Sequence, residues 1–377
     1  MRITIGVAVV LMSLASWAWA DDEKKDEKKT PEEQFRQLRQ DFVKERTALL
    51  QSLRSGNAEQ GEASLFKKMG ELMAAQMPKF LDFARANPGD PAAFNALIFV
   101  AQNAGGASPN DEYNRVIAPF ADQSVAMLLD KYDEKLASRP MVLEPLGPRG
   151  ESALRALRAK LKPGDGYWKV TASLANLLKS PSERADSDEA VAKAQPQAKE
   201  AETLYAEIVE KAGDQAGMRR LVAEAKENLD ELRTLGIGKT MPELEGKDLD
   251  DQPVKLSDYR GKVVVLDVWA TWCGPCRAMI PHERELVARL AGKPFALISV
   301  SCDEKKETLT EFLEKEKMPW VHWWDGKNGP IAKTLNLRYY PTIYVLDGNG
   351  VIRYRGPRGA KMDAAVDKLL KERAASE

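Results

Sequence analysis

The 377-residue chain is longer than a single hydrophobic core usually serves, so its length predicts two or three domains. Its 56 basic residues nearly balance its 57 acidic ones, which excludes a strongly basic nucleic-acid-binding protein and gives no indication of a nucleic-acid partner. Hydrophobic residues make up 44% of the chain, and this content excludes wholesale disorder.

The first twenty residues, MRITIGVAVVLMSLASWAWA, have the pattern of a secretory signal peptide. Arg2 supplies an early positive charge, an apolar run covers residues 3–14, and Ala18 and Ala20 form an A-x-A cleavage site. The alternative is a retained anchor, but the run is shorter than the roughly 20 apolar residues of a spanning helix. We therefore expect residues 1–20 to be removed and the protein to work in the periplasm or an equivalent extracytoplasmic compartment. Residues 21–29 (DDEKKDEKK) are predicted to be a charged tether.

Residues 30–235 are predicted to form an all-α domain. Thr30, Pro31 and Glu33 have the pattern of a capping box, and the apolar residues that follow repeat at helical spacing. Further helical patterns are separated by breakers such as NPGDP at 87–91, and they show no fixed repeat period. The Pro-interrupted, charged stretch 180–199 is predicted to be a loop or a frayed helix. The sequence does not indicate a binding partner for this domain.

The pattern changes at Gly236 to short β-rich runs, which places a second domain at residues 237–377. Helical patterns alternate with these runs at about 276–291 and 304–317, and a last one begins at residue 360. The turn sequence DGNG at 347–350 joins the last two runs into a hairpin. This order predicts an α/β domain. Its strands are expected at 263–269, 295–301, 342–347 and 351–355.

Cys273 and Cys276 form a Cys-Gly-Pro-Cys motif that opens a helix after an apolar strand. Unpaired N–H groups and the helix dipole at this position stabilise a thiolate, so Cys273 is expected to attack disulfides. It is also expected to be the exposed member of the pair. Cys276, one helical turn further in, would then resolve the mixed disulfide.

Two other uses of this cysteine pair are less favourable. Zinc would need about four ligands, and besides the pair the chain offers only Cys302, His282 and His322. A static structural disulfide that closes so short a loop would contribute little stability. The pair is therefore predicted to be redox-active, with no metal and no cofactor.

The motif WATWCGPC at 269–276 carries a resemblance to a known family. From Gly236 onward the chain looks like a thioredoxin-fold domain of the TlpA/ResA type, a group of exported thiol-disulfide oxidoreductases. The lead-in GKDLDDQPVKLSDYRGKVVVLDVW is similar to the N-terminal hairpin of that group. The resemblance implies a central mixed sheet flanked by helices, a redox disulfide Cys273–Cys276, and disulfide-containing exported proteins as partners. It leaves residues 30–235 unassigned.

The same resemblance implies roles for further residues. Pro341 corresponds to the family's cis-proline, which holds an extended substrate and keeps metals from the cysteines; an ordinary trans turn proline is the alternative. Asp267, six residues before Cys273, corresponds to the buried acid that handles the proton of the resolving cysteine. A hydrogen-bonded core carboxylate is the alternative for that residue. The surface that contacts the substrate is expected to include Trp272, Gly274, Pro275, Tyr340 and Thr342.

Two positions depart from the family pattern. The glutamate that often stands three residues after the second cysteine is replaced by Met279, and residues 295–301 offer no lysine to accompany the buried acid. We therefore expect proton transfer to depend on Asp267 and water. Cys302, at the end of a core strand, is expected to be a small buried hydrophobic residue, with a third redox partner as the alternative.

The Gly-Pro dipeptide between the cysteines resembles the reducing members of the fold. The leading hypothesis is an exported protein that reduces disulfides of other proteins and is kept reduced by a membrane thiol electron donor. A thiol peroxidase of the peroxiredoxin type is the second hypothesis, but the threonine expected three residues before its cysteine is Ala270 here. The third hypothesis is a helical adaptor protein with an ancillary redox domain.

Overall fold

The computed structural model describes residues 29–55, 62–105, 110–213 and 217–376. The predicted signal peptide at 1–20 and residues 21–28 of the predicted tether lie outside these ranges. In the part of the chain that is described, every helix is too short or too polar to cross a membrane.

The described chain up to residue 235 is built from α-helices. They are α1 Pro31–Ser55, α2 Glu62–Ala86, α3 Pro91–Ala104, α4 Asp111–Lys131, α5 Asp133–Ser138, α6 Pro148–Lys160, α7 Asp165–Lys179, α8 Asp188–Lys211 and α9 Arg219–Leu235. The predicted capping box is present at the start of α1. The Thr30 N–H donates to Glu33 Oε2 at 2.8 Å, and the Glu33 N–H donates to Thr30 Oγ1 at 3.3 Å.

Aromatic side chains form the centre of the helical core. The rings of Phe80 and Phe99 lie 4.7 Å apart, and the ring of Phe42 meets that of Phe99 edge-on at 5.3 Å. Trp168 of α7 is buried in the same cluster. Burial of rings this large removes extensive apolar surface from water and stabilises the packing of α1, α2, α3 and α7.

The prediction of a loop or frayed helix at 180–199 is wrong. Residues Ser180–Arg184 form a 3₁₀ turn, and α8 begins at Asp188 with the Ser187 hydroxyl accepting a hydrogen bond from the Ala190 N–H at 3.3 Å. Pro196 lies inside this helix. The alanine-rich sequence favours the helix, and packing of α8 against α7 compensates for the hydrogen bond that proline cannot make.

A mixed sheet forms the second part of the chain, as the resemblance implied. Its strands are β1 Glu245–Asp248, β2 Pro253–Lys255, β3 Val263–Trp269, β4 Phe295–Ser301, β5 Val321–Trp324, β6 Thr342–Leu346 and β7 Ile352–Arg355. The strand order is β2-β1-β5-β4-β3-β6-β7, with β3, β4 and β5 parallel and the other pairs antiparallel. Strand β5 had no counterpart among the predicted strands, because its four residues are too few for a clear alternation.

Helices cover this sheet on both faces. They are α10 Gly274–Arg277, α11 Ile280–Arg289, α12 Lys306–Lys315, α13 Pro330–Thr334 and α14 Ala360–Ser376. The single helix expected at 276–291 is therefore divided into α10 and α11. Pro281 has no N–H to donate to the Arg277 carbonyl, which interrupts the helical hydrogen bonds at this point.

Strand β3 alternates between the two faces of the sheet. Val264, Leu266 and Val268 belong to one cluster of buried residues. Val263 and Val265 face the other way, into a cluster formed with α11 and α14. Because of this alternation, only the side chains on the second of these two faces of β3 can contact α11.

The helical part packs directly against the edge of the sheet at β7. The Arg355 N–H donates to the Ala185 carbonyl at 3.1 Å, and the Tyr354 hydroxyl donates to Asp188 Oδ1 at 2.6 Å. Glu231 of α9 lies at a second contact, where it pairs with Arg355 at 3.3 Å. Strand β7 is thereby held by residues more than a hundred positions earlier in the chain.

Candidate active site

The two cysteines lie at the start of α10, directly after the loop that follows β3. They form a disulfide, and the Cys276 N–H donates to Cys273 Sγ at 3.2 Å. Cys273 is the N-cap residue of α10, so its sulfur lies at the end of the helix where N–H groups are unpaired. This is the position at which a thiolate is stabilised once the disulfide is reduced.

Both sulfur-bearing residues are nearly buried in the disulfide form. Cys273 is 5% exposed and Cys276 is 3% exposed, so the expectation that Cys273 is the exposed member is wrong for this form. The neighbouring Trp272 is 68% exposed, and its ring meets the Tyr340 ring edge-on at 5.4 Å. Trp272 is the most exposed of the large apolar side chains that the structure describes, and its contact with a substrate stays a prediction.

The loop that contains Pro341 brings the second half of the site to the first. The Tyr340–Pro341 peptide bond is cis, which excludes the alternative of an ordinary trans turn proline. The Thr342 hydroxyl donates to the Tyr339 carbonyl at 2.7 Å and so closes the loop. Because Tyr340 touches Trp272, this loop lies next to the cysteine motif although about 65 residues separate them.

Asp267 lies in the middle of β3, where all seven strand residues are buried. It is 3% exposed, and its Oδ1 atom lacks a hydrogen-bond partner in the structure. Burial raises the pKa of Asp267, and the charge of Arg358 opposes this rise only in part. The alternative of a fully hydrogen-bonded core carboxylate therefore does not describe this residue. Its role in proton transfer stays a prediction.

Glu283 of α11 is a second buried carboxyl at this site, and the sequence analysis missed it. The residue is 1% exposed, and its Oε1 atom also lacks a hydrogen-bond partner. Burial raises the pKa of Glu283, and the nearby Asp267 raises it further. The overlooked signal was its spacing, because Glu283 follows Cys276 and Met279 by seven and four residues on one helical stripe.

A second missed residue, Asp303, shapes the loop that leads to the cysteines. Its carboxylate accepts hydrogen bonds from the Thr271 N–H at 3.1 Å and from the Thr271 hydroxyl at 2.8 Å. The Ser301 hydroxyl donates to the same carboxylate at 2.8 Å. These bonds tie the loop after β3 to the end of β4, and they hold Trp272 and Cys273 in place.

Cys302 lies behind this site and is 3% exposed. Burial raises the pKa of its thiol to about 11, although the Tyr340 hydroxyl beside it has the opposite effect. A thiol with such a pKa is protonated at neutral pH and is therefore a poor nucleophile. This agrees with the interpretation of Cys302 as a buried hydrophobic residue.

Each of the two histidines lies within hydrogen-bonding distance of another residue. His282 Nε2 lies 3.0 Å from Asp363 Oδ2, and His322 Nε2 lies 2.8 Å from the Met318 carbonyl oxygen. Over the residues that the structure describes, no group of three or more His, Cys, Asp or Glu side chains is arranged to hold a metal ion.

Known proteins match the part of the chain that carries this site. Residues 237–355 match the model of the AhpC/TSA family. The thiol-disulfide oxidoreductase ResA of Bacillus thuringiensis is 31% identical over 136 residues, which cover 36% of this chain and 78% of that relative. The chain belongs to the ResA family of thiol-disulfide oxidoreductases. The resemblance seen in the sequence and the predicted enzyme class are thereby confirmed.

Further relatives of this thiol-disulfide oxidoreductase carry related names. ResA of Oceanobacillus iheyensis is 31% identical over 129 residues, covering 33% of this chain and 66% of the relative. The thiol:disulfide interchange protein DsbE of Vibrio cholerae is 34% identical over 128 residues, with the same two shares. A solved DsbE structure from Chlorobium tepidum is 27% identical, covers 36% of this chain and 97% of its own, and has a TM-score of 0.34. The N-terminal helical part is not covered by these matches.

Proposed function

We propose that this chain is an exported thiol-disulfide oxidoreductase that reduces disulfides of partner proteins through the Cys273–Cys276 dithiol. The observation that carries the proposal is the disulfide at the start of α10, next to the cis Tyr340–Pro341 bond and the exposed Trp272. A reactive sulfur pair with an adjacent surface for a polypeptide is what disulfide exchange requires.

The exchange takes place in two steps. In the reduced protein, the Cys273 thiolate attacks one sulfur of the partner's disulfide, forms a mixed disulfide, and releases the other partner sulfur as a thiolate. Cys276 then loses its proton, attacks Cys273 Sγ, and releases the second partner sulfur. The partner gains two electrons and the cysteine pair loses two. Asp267, buried in β3, is the proposed acceptor of the Cys276 proton.

The cis-proline loop and the cysteine motif together form the proposed substrate surface. Trp272 and Tyr340 would provide apolar contact, and their ring contact places the loop of the cis Tyr340–Pro341 bond beside the cysteine motif. An extended segment of the partner would lie across this surface. The residues proposed to contact it are Trp272, Gly274, Pro275, Tyr340, Pro341 and Thr342.

Export and the source of electrons complete the proposal. The signal-like pattern at residues 1–20 supports an extracytoplasmic location, as does membership of a group with exported members. Each turnover leaves the cysteine pair oxidised, so a thiol donor at the membrane is proposed to restore the dithiol. The names of the relatives favour this function over a thiol peroxidase or a helical adaptor.

Replacement of Cys276 by Ser tests the mechanism. This variant keeps the attacking sulfur but cannot release the partner, so it should accumulate as mixed disulfides in the exported fraction. Reductant-sensitive bands on non-reducing gels would reveal these adducts, and mass spectrometry would identify the partners. Cys273→Ser and Cys302→Ser are the controls that should form none.

Two results would decide against the proposal. The absence of adducts with Cys276→Ser, under conditions where the wild-type protein is active, would exclude dithiol exchange. A reduction potential near the −120 mV of a strong oxidant, far from about −270 mV for thioredoxin, would exclude the reducing direction.

A further inference from the structure

Two carboxyl groups, those of Asp267 and Glu283, are buried near each other. Asp267 comes from the centre of β3, and Glu283 comes from α11. Neither is more than 3% exposed, and each has one oxygen without a hydrogen-bond partner. Buried carboxyl groups of this kind are costly to ionise, and two ionised ones at close range are costlier still.

The strand and the helix independently direct these residues toward each other. Strand alternation puts Asp267 on the same face of β3 as Val263 and Val265, which pack against α11. On α11, Glu283 lies between Met279 and Leu286, which belong to the same cluster of buried residues. Glu283 therefore occupies an apolar position in the interface that Asp267 faces.

Glu283 also lies in line with the resolving cysteine. Seven positions separate Cys276 at the end of α10 from Glu283 in α11, and the break between the two helices lies between them. The charged group that acts on Glu283 is Asp267, so Glu283 is placed to act on the cysteine through Asp267.

The other charged groups near the pair are few in the described structure. Arg358, on the loop after β7, acts on Asp267 from the outer end of the site and is itself exposed. The neighbouring His282 on α11 is turned to Asp363 of α14. On the strands that flank β3, the residues opposite Asp267 are Ser299 and Ile343, which carry no charge. Asp267 is therefore the charged group that acts on Glu283, and Arg358 is the one that acts on Asp267.

We propose that Asp267 and Glu283 act as one buried carboxyl pair that shares a proton and receives the proton of Cys276 during resolution. Glu283 is the positioning residue, since it sets how readily Asp267 accepts that proton. This inference rests on the proposed disulfide exchange.

The proton and the bonds balance in this step. Before resolution the pair holds one proton and one negative charge. Cys276 transfers its thiol proton to the pair, and its sulfur forms a bond to Cys273 Sγ while the bond from Cys273 to the partner sulfur breaks. The partner leaves as a thiolate, and the pair, now uncharged, returns the proton to solvent.

The test measures alkylation of Cys276 against pH in the reduced full-length protein, with mass spectrometry to separate Cys276 from the other cysteines. Glu283→Gln removes one ionisable group of the pair without changing its shape. The pH midpoint for alkylation of Cys276 should then fall by about one unit, because less negative charge opposes formation of its thiolate. At a fixed alkaline pH below the midpoint, this shift corresponds to alkylation that is roughly tenfold faster. Glu285→Gln, an exposed residue on the same helix, is the matched control and should leave the midpoint unchanged.

A second measurement detects the shared proton itself. Infrared spectra of the oxidised protein at neutral pH should show the carbonyl band of a protonated carboxylic acid. The Glu283→Gln variant should lose or shift this band, and the Glu285→Gln variant should keep it. If Glu283→Gln folds poorly, Glu283→Leu extends the apolar stripe of α11 and should give the same change at Cys276. An unchanged Cys276 midpoint in a folded Glu283 variant would overturn the proposal.

An unchanged Cys276 midpoint can be distinguished from failure of the proposed disulfide-exchange function. If Glu283 has only a structural role, the variant and the wild-type protein still form mixed disulfides, with the same pH dependence. If the exchange function is wrong, the Cys276→Ser protein forms no adducts, whatever the titration of Cys276 shows.

Discussion

Replacement of Glu231 by Gln should destabilise the protein more than any surface charge change on the same helix. Glu231 of α9 is 5% exposed and pairs with Lys179 at 2.7 Å and with Arg355 at 3.3 Å. These two cations are themselves only 3% and 6% exposed. Burial opposes ionisation of Glu231, yet Lys179, Arg355 and Arg338 hold the pKa of this carboxyl below its usual range. The carboxylate is therefore ionised and compensates two buried positive charges at neutral pH.

The expected loss of stability depends on which of the two buried positive charges is left without a negatively charged partner. Removing one partner of a buried ion pair typically costs about 3–5 kcal/mol. Lys179 keeps Glu183 at 2.9 Å and Asn228 at 3.0 Å, so most of the penalty falls on Arg355. We therefore expect a loss at the lower end, about 3 kcal/mol in the free energy of unfolding.

Urea denaturation at pH 7, followed by circular dichroism and tryptophan fluorescence, measures this loss. Lys179 belongs to the helical part and Arg355 to the sheet, so the substitution should destabilise both parts. The unfolding midpoints of both signals should therefore shift to lower urea concentrations. Glu224→Gln is the control: it breaks the exposed pair with Arg220 on the same helix and should leave the urea midpoint nearly unchanged. A loss below about 1 kcal/mol for Glu231→Gln would refute the reasoning, since it would mean that solvent compensates Arg355.

Two further predictions concern the carboxyl pair. Asp267→Asn should slow resolution of the mixed disulfide at least tenfold and leave its formation nearly unchanged. Stopped-flow exchange with a model disulfide measures both steps. Equal slowing of the two steps would mean that Asp267 has only a structural role. Burial raises the pKa of Glu283 in the folded protein, so its contribution to stability is complete below the unfolded pKa of about 4.3 and is lost as pH rises toward the folded value. Between pH 5 and pH 8, urea denaturation of the oxidised protein should therefore show a larger loss of stability for the wild type than for Glu283→Gln. Equal losses would contradict a raised pKa.

The sequence by itself determined the local chemistry of this protein. The Cys-Gly-Pro-Cys spacing, the apolar strand before it and the capping box at Thr30 all depend on neighbours within a few residues, where helical and strand periodicity are reliable guides. For the same reason Asp267 could be recognised as a buried acid, since it interrupts an otherwise apolar strand. The roles predicted for Cys273 and Cys276 were likewise derived from the motif alone.

The tertiary structure decided which distant residues share a space. Glu283 looked like one more charged residue of an amphipathic helix, and only the tertiary structure showed that its side chain is buried and near Asp267. The contacts of Ala185, Asp188 and Glu231 with β7 and its flanking residues likewise join segments more than a hundred residues apart. Periodicity predicts which side of an element is buried, but the element that covers that side is set by long-range packing, and this packing also determines which buried charges are paired.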